Sequence, residues 1–249
     1  MIEHIQPYQL PFSAQEPLLN LAAESDFLIL GEPHGTQEVP RLVLALLPEL
    51  QQIGFGVLGL EISSGQRDQL VAWSKGTCAP SELFFREVKY QDGRGNVQVL
   101  SMIKLAMQSG WNLACFDIDL AKSWEPWSAR DHGMAENLVT QMAAGPPRTK
   151  ALCICGNCHS RLQHQQQYPE LWPSFAHYLQ EAVPHRKVNT LDIVFGSGAG
   201  FNMGIKAIGA RSANISTEAS FVRSSASGHS AQLFLPVATP ATFLDNDSR

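Results

Sequence analysis

Phe27-Leu28-Ile29-Leu30 is an apolar run of strand length that stops at Gly31. Glu32-Pro33-His34-Gly35-Thr36-Gln37-Glu38 follows before the next apolar, periodic segment begins. This passage reads as strand, sharp loop, helix. In an open parallel sheet, loops of that kind stand at the carboxyl ends of strands, where ligands bind. Glu32 and His34 are thereby placed where chemistry usually happens. The plainer alternative is that Glu32 caps the next helix and His34 is an ordinary loop histidine; a short motif alone leaves both open.

The same punctuation recurs along the chain. Residues 55–60 form a second apolar run with Glu61 at its end, 111–116 a third ending in Asp117-Ile118-Asp119, and 151–155 a fourth followed by Gly156-Asn157-Cys158-His159. Residues 188–195 form a fifth, followed by Gly196-Ser197-Gly198-Ala199-Gly200, and 232–236 suggest one last edge strand. Helical periodicity fills the intervals: 17–23, a helix opened by Pro40 through Leu42, Leu46, Leu47 and Leu50, then 66–75, 81–90, 97–109, one capped by Ser128, and 172–182. Strands alternating with helices predict an α/β fold with a mostly parallel central sheet covered on both faces. At 249 residues, one domain over 1–249 is the expectation.

Charge and composition exclude some functions. Charged residues make up 16% of the chain and the net charge is −5, with no run of lysines or arginines, which disfavours nucleic acid as a partner. Nothing at the start resembles a signal peptide and no later segment is apolar for long enough to span a bilayer. A cytoplasmic protein acting on a small molecule or peptide, without a membrane partner, is expected. The cysteines at 78, 115, 153, 155 and 158 are odd in number, which fits free thiols in a reducing compartment.

In such a sheet, the ends of the first four strands bring Glu32, His34, Glu61, Asp117, Asp119, Asn157 and His159 to one edge. Converging acids and histidines need each other, water or an ion, because buried polar groups cost free energy unless paired. Two histidines and a carboxylate (His34, His159 and Glu61) are a familiar ligand set for a divalent metal. Equally, a histidine held by a carboxylate is a general base that activates water without metal. The acids already offer both histidines partners, which tilts the reading toward the metal-free arrangement. Arg130 and Asp131 are either a solvated helix start or part of the site, the latter favoured by their place after the third strand. Cys155-Gly156-Asn157-Cys158-His159 matches the attachment pattern of c-type haem, but directly after a buried-type strand these cysteines read as small core side chains. Gly196 to Gly200 lacks the lysine and spacing of a phosphate loop and reads as a turn.

Taken together, Gly31-Glu32-Pro33-His34 and Gly156-Asn157-Cys158-His159 are two G-x-x-H motifs with the lone strand-end acid Glu61 between them. This arrangement resembles the superfamily that unites erythromycin esterases, ChaN-like haem-binding proteins, TraB and the Tiki proteases. Arg130-Asp131-His132-Gly133-Met134-Ala135-Glu136-Asn137 is similar to the R-D-x-x-M-A-x-N segment of the esterase and ChaN-like branches, and His34-Gly35-Thr36-Gln37-Glu38 to the esterase H-G-x-x-E. The resemblance implies a hydrolase of esters or amides. His34 would be its base or a metal ligand, Glu32 and Glu61 partners or co-ligands, His159 the second histidine, and Arg41 or Arg130 the holder of an anionic or oxyanionic group. The ChaN-like branch implies an alternative, a non-catalytic haem or small-ligand carrier with an axial ligand from His132, His159, His164, Tyr168 or Tyr90. The esterases carry one more residue between the acid and the histidine of their first motif, and neither a lipobox nor a Tiki-type anchor is present here.

Overall fold

The apolar runs become strands hidden on both sides. β1 (Phe27–Glu32) is buried throughout, and β2 (Phe55–Ser63) is buried at all but one position. Strands of parallel sheets read as near-continuous hydrophobic runs for this reason. The computed structural model describes residues 5–79, 93–119, 127–166, 169–209, 217–224 and 227–243, so the helix expected over 81–90 lies outside the described residues. Its further strands are β3 (Asn112–Asp117), β4 (Lys150–Gly156), β5 (Val188–Phe201), β6 (Ile205–Ala207), β7 (Ser220–Val222) and β8 (Ala231–Ala238). They stand in the order β3-β2-β4-β1-β5-β8-β7, parallel from β3 to β8, with β7 antiparallel on β8 and β6 antiparallel on β5. The mostly parallel α/β sheet expected from the sequence is thus present.

Alternation along each strand sends neighbours to opposite faces. Leu28, Leu30, Leu58 and Leu60 pack under α1 (Phe12–Ala23), α2 (Glu38–Gln52), α3 (Arg67–Ser74) and α4 (Val97–Gln108). Phe27, Ile29, Phe116 and Cys153 pack on the other side against α5 (Trp127–Ala143) and α6 (Phe175–Ala182). Asn96 caps α4, its side chain accepting the Val99 N–H at 2.8 Å. β1 and β2 are consecutive in the chain but not paired, and β4 fills the place between them. The loop after β4 is therefore flanked by the loops after β1 and β2, and this topology creates the site.

Four local readings are corrected. Gly196 to Gly200 is not a turn but the continuation of β5, which runs to Phe201 between β8 and β6. Its glycines serve close approach: a Cβ on Gly198, at φ 109°, would lie 2.1 Å from the Ala238 carbonyl oxygen. The last long strand, β8, is not an edge, because Ser220–Val222 emerges from the polar tail to cover it. Ser128 lies within α5 rather than before it. Glu32 belongs to β1, and the residue before α2 is Gln37, so Glu32 is not a helix cap.

Candidate active site

Each strand end delivers one functional group. β1 ends on Glu32 and hands the chain to His34, β2 carries Glu61, β3 ends on Asp117, and the turn after β4 holds Cys158 and His159. The first turns of α5 add Arg130 and Asp131 from the far face. Arg94, in the turn before α4, completes the group and was missed by sequence reasoning. Its only sequence signal is an arginine between two glycines. Gly93, at φ 104°, lets that turn press on the His34 loop, since a Cβ there would lie 2.4 Å from the Gly35 Cα.

At the centre, two arginines interleave with two carboxylates. Arg130 donates from Nε and Nη2 to the two oxygens of Asp117, at 3.0 and 2.8 Å, and from Nη2 to Glu61 Oε1 at 2.7 Å. Arg94 Nη1 donates to Glu61 Oε1 at 3.1 Å, to the Glu61 carbonyl at 2.7 Å and to Asp117 Oδ2 at 3.2 Å. The Gly156 N–H donates to Glu61 Oε2 at 2.7 Å. All four side chains are buried, and burial of so many charges is tolerable only because each is both paired and hydrogen-bonded. Burial raises the Glu61 pKa, but His159, Arg94, His34 and Arg130 together hold it well below the usual carboxylate range.

His34 is held at both ring nitrogens. Nδ1 lies 3.1 Å from Glu32 Oε1 and Nε2 3.4 Å from Glu61 Oε2. Burial lowers its pKa, yet Glu61 and Glu32 outweigh burial and push it up to about 10. A pH dependence of stability follows. The folded pKa lies above the unfolded value of about 6.5, so this contribution, on the order of a few kcal/mol, is complete below that value and is lost as pH rises through about 10. Urea midpoints measured across that range should fall more steeply with pH for the wild type than for His34→Asn; parallel curves would contradict the pairing.

His159 is held differently. Nδ1 lies 2.7 Å from Asp131 Oδ1, while Asp131 Oδ2 accepts the Phe175 N–H at 2.7 Å. Nε2 lies 3.0 Å from Arg130 Nη1, and the Trp127 ring stacks on the imidazole with centroids 5.3 Å apart. Burial lowers the His159 pKa, whereas Cys158, Asp131 and Glu61 raise it further than burial lowers it. Nevertheless a guanidinium only donates, so a hydrogen bond at Nε2 requires a lone pair there. Asp131 orients His159 at Nδ1, and Arg130 caps Nε2 whenever that nitrogen is unprotonated. His34, Glu61 and His159 do converge as a ligand set would. Arg130 stands among them, however, and takes both Glu61 Oε1 and His159 Nε2. Among the described residues no three His, Cys, Asp or Glu side chains are arranged to hold a metal, and a guanidinium at the centre does not fit a divalent cation.

These groups form the floor of a cavity of about 540 Å³, lined by Glu32, His34, Glu61, Arg94, Arg130, His159, Trp127 and Cys158 and rimmed by Asn202, Lys206 and Ile208. Other expected residues stand elsewhere. Arg41 donates to the Gln6 carbonyl, and neither it nor Asp119 lines the cavity. His132 is exposed near Glu136, and His164 packs on Trp172. Tyr90 and Tyr168 lie outside the described residues. Cys155 is buried in the core beneath the sheet and burial pushes its thiol pKa well up; Cys158 faces the cavity, where His159 lowers its thiol pKa against the effect of burial. The C-x-x-C-H stretch therefore lacks the accessible pair that covalent haem attachment needs.

No family model matches the chain, and no curated protein matches it in sequence. Solved structures do match. A mutant of the erythromycin esterase EreC in its open conformation superposes with TM-score 0.67 at 12% identity, covering 96% of this chain and 97% of that one. A succinoglycan biosynthesis protein gives 0.62 at 11% identity, over 97% and 95% of the two chains. ChaN of Campylobacter jejuni, in a structure of cofacial heme binding, gives 0.53 at 12% identity, over 88% and 90%. In fold, the chain stands with EreC and ChaN.

Proposed function

We propose that the chain is a hydrolase of the erythromycin esterase type, in which His34 takes a proton from a water molecule as that water attacks an ester or amide carbonyl. One observation carries this reading: His34 is gripped at Nδ1 by Glu32 while Nε2 faces a cavity at the strand ends beside Glu61. A base needs an orienting partner on one nitrogen and access to the nucleophile on the other. In the reactive form, Nδ1–H donates to Glu32 and the Nε2 lone pair receives the proton. Glu61 orients the water beside Nε2 and stabilises the imidazolium that forms. Arg130 and Arg94, on the same wall, present N–H groups to the oxyanion that develops as the carbonyl is attacked. His159 acts through Arg130, which it helps to position.

A panel of ester, amide and phosphoester substrates tests the reading. Turnover of an ester or amide is expected, and failure on every member of those two classes would overturn it. The haem-carrier reading has the ChaN likeness in its support, but His159, the candidate ligand in the cavity, has both nitrogens engaged. Haem titrated into the protein is expected to leave the Soret band unshifted. A shifted band abolished by His159→Ala would favour the carrier instead.

A further inference from the structure

Lys206 lies on β6, directly opposite Gly200 of β5, and lines the same cavity. Its strand is tied closely to the His34 loop. A Cβ on Gly200 would lie 3.2 Å from the His34 carbonyl oxygen, and the Phe201 N–H donates to the Gly35 carbonyl at 2.9 Å. Lys206 is therefore one strand removed from the backbone of the proposed base.

Among the described residues the charges of the wall can be matched pair by pair. Arg94 and Arg130 are answered by Glu61 and Asp117, His34 by Glu32 and His159 by Asp131. Lys206 is exposed, and its side chain makes no ion pair or hydrogen bond with the described residues. Among the described residues it thus stands as an unmatched cation at the mouth of a cavity whose other cations are already engaged, on a chain whose net charge is −5. Low-dielectric walls focus the field of such a charge into the cavity and concentrate ligands of opposite sign there. Asn202 on the same rim adds a neutral hydrogen-bonding side chain.

We infer that the substrate carries an anionic group, a carboxylate or a phosphate, which Lys206 holds at the cavity mouth while the bond to be cleaved lies against His34. The second half of this statement rests on the hydrolase reading; the anion site does not. An ammonium suits this role because it is a compact point charge on a flexible stem, able to follow ligands of different length.

Binding can be measured without turnover. Inorganic phosphate and succinate, each titrated calorimetrically into the full chain, represent the two anion sources. At least one is expected to bind the wild type, more weakly as salt is raised. Lys206→Glu should weaken that binding by roughly tenfold or more, the scale of one charge-assisted hydrogen bond, and Lys206→Gln by less. Lys75→Glu, at the exposed end of α3, should leave binding unchanged. Lys206 is exposed, so the thermal midpoints of its variants should match the wild type and exclude misfolding as the cause. Binding of neither anion, or equal binding by wild type and Lys206→Glu, would overturn the inference. Anion binding without turnover of any ester or amide would instead sink the hydrolase reading and leave the anion site standing. Hydrolysis of neutral esters without anion binding would do the reverse.

Discussion

Arg130→Met is expected to destabilise the protein by about 3–5 kcal/mol, the usual result of removing one partner from a buried ionic group. Arg130 supplies both oxygens of Asp117, one oxygen of Glu61 and Nε2 of His159. Methionine fills similar space but, among the described residues, leaves Asp117, which is fully buried, with only Arg94 and the Ile118 N–H. Arg130→Lys should recover little, because an ammonium cannot span the planar, forked set of acceptors. Asp117→Asn combined with Arg130→Met should cost less than the two separate losses added together, since each single change strands the other's charge. Urea denaturation of the four proteins is the measurement; additive losses would mean that the pair is not coupled.

His34→Asn is expected to lower ester or amide hydrolysis by roughly two to four orders of magnitude, the usual contribution of general acid–base catalysis. The asparagine amide still reaches toward Glu32 but cannot accept and then release a proton at the Nε2 position. The fold should survive, because Glu61 keeps Arg94, Arg130 and the Gly156 N–H. An unchanged circular dichroism spectrum accompanied by the rate loss separates chemistry from unfolding. Activity within a few-fold of wild type would remove His34 from the mechanism.

How much of this could be read in the chain depends on how local each signal is. Phe27 to Leu30, with Gly31, Glu32 and His34 after it, encodes its own strand and loop, because burial on both faces demands an apolar run and the loop must leave it abruptly. Glu61 and Asp117 were visible as acids at strand ends, and Asp131 as the neighbour of an arginine. The pairing partners were not visible. Arg94 reaches Glu61 and Asp117 across 33 and 23 residues of chain, from a turn with no periodicity of its own. Arg130 was visible as a candidate, but not its place between His159 and Glu61, which turns an apparent metal-ligand triad into a guanidinium-centred network. The glycines from Gly196 to Gly200 misled for a related reason. Their small size serves contact with Ala238 and His34, which are distant in sequence, whereas a local reading sees only a flexible turn.

The central claim is that a histidine made strongly basic by two carboxylates takes the proton from water. The most direct test is the pH dependence of kcat/KM for a hydrolysed ester, with His34→Asn as the blank for spontaneous hydrolysis. Only neutral His34 can act as the base, and Glu61 and Glu32 hold its pKa at about 10. The predicted rate rises about tenfold per pH unit above neutrality and levels near pH 10. A rate already level by pH 7 would mean an ordinary histidine at about 6.5, and a rate that falls as pH rises would mean that His34 gives a proton rather than takes one; either result would contradict the account.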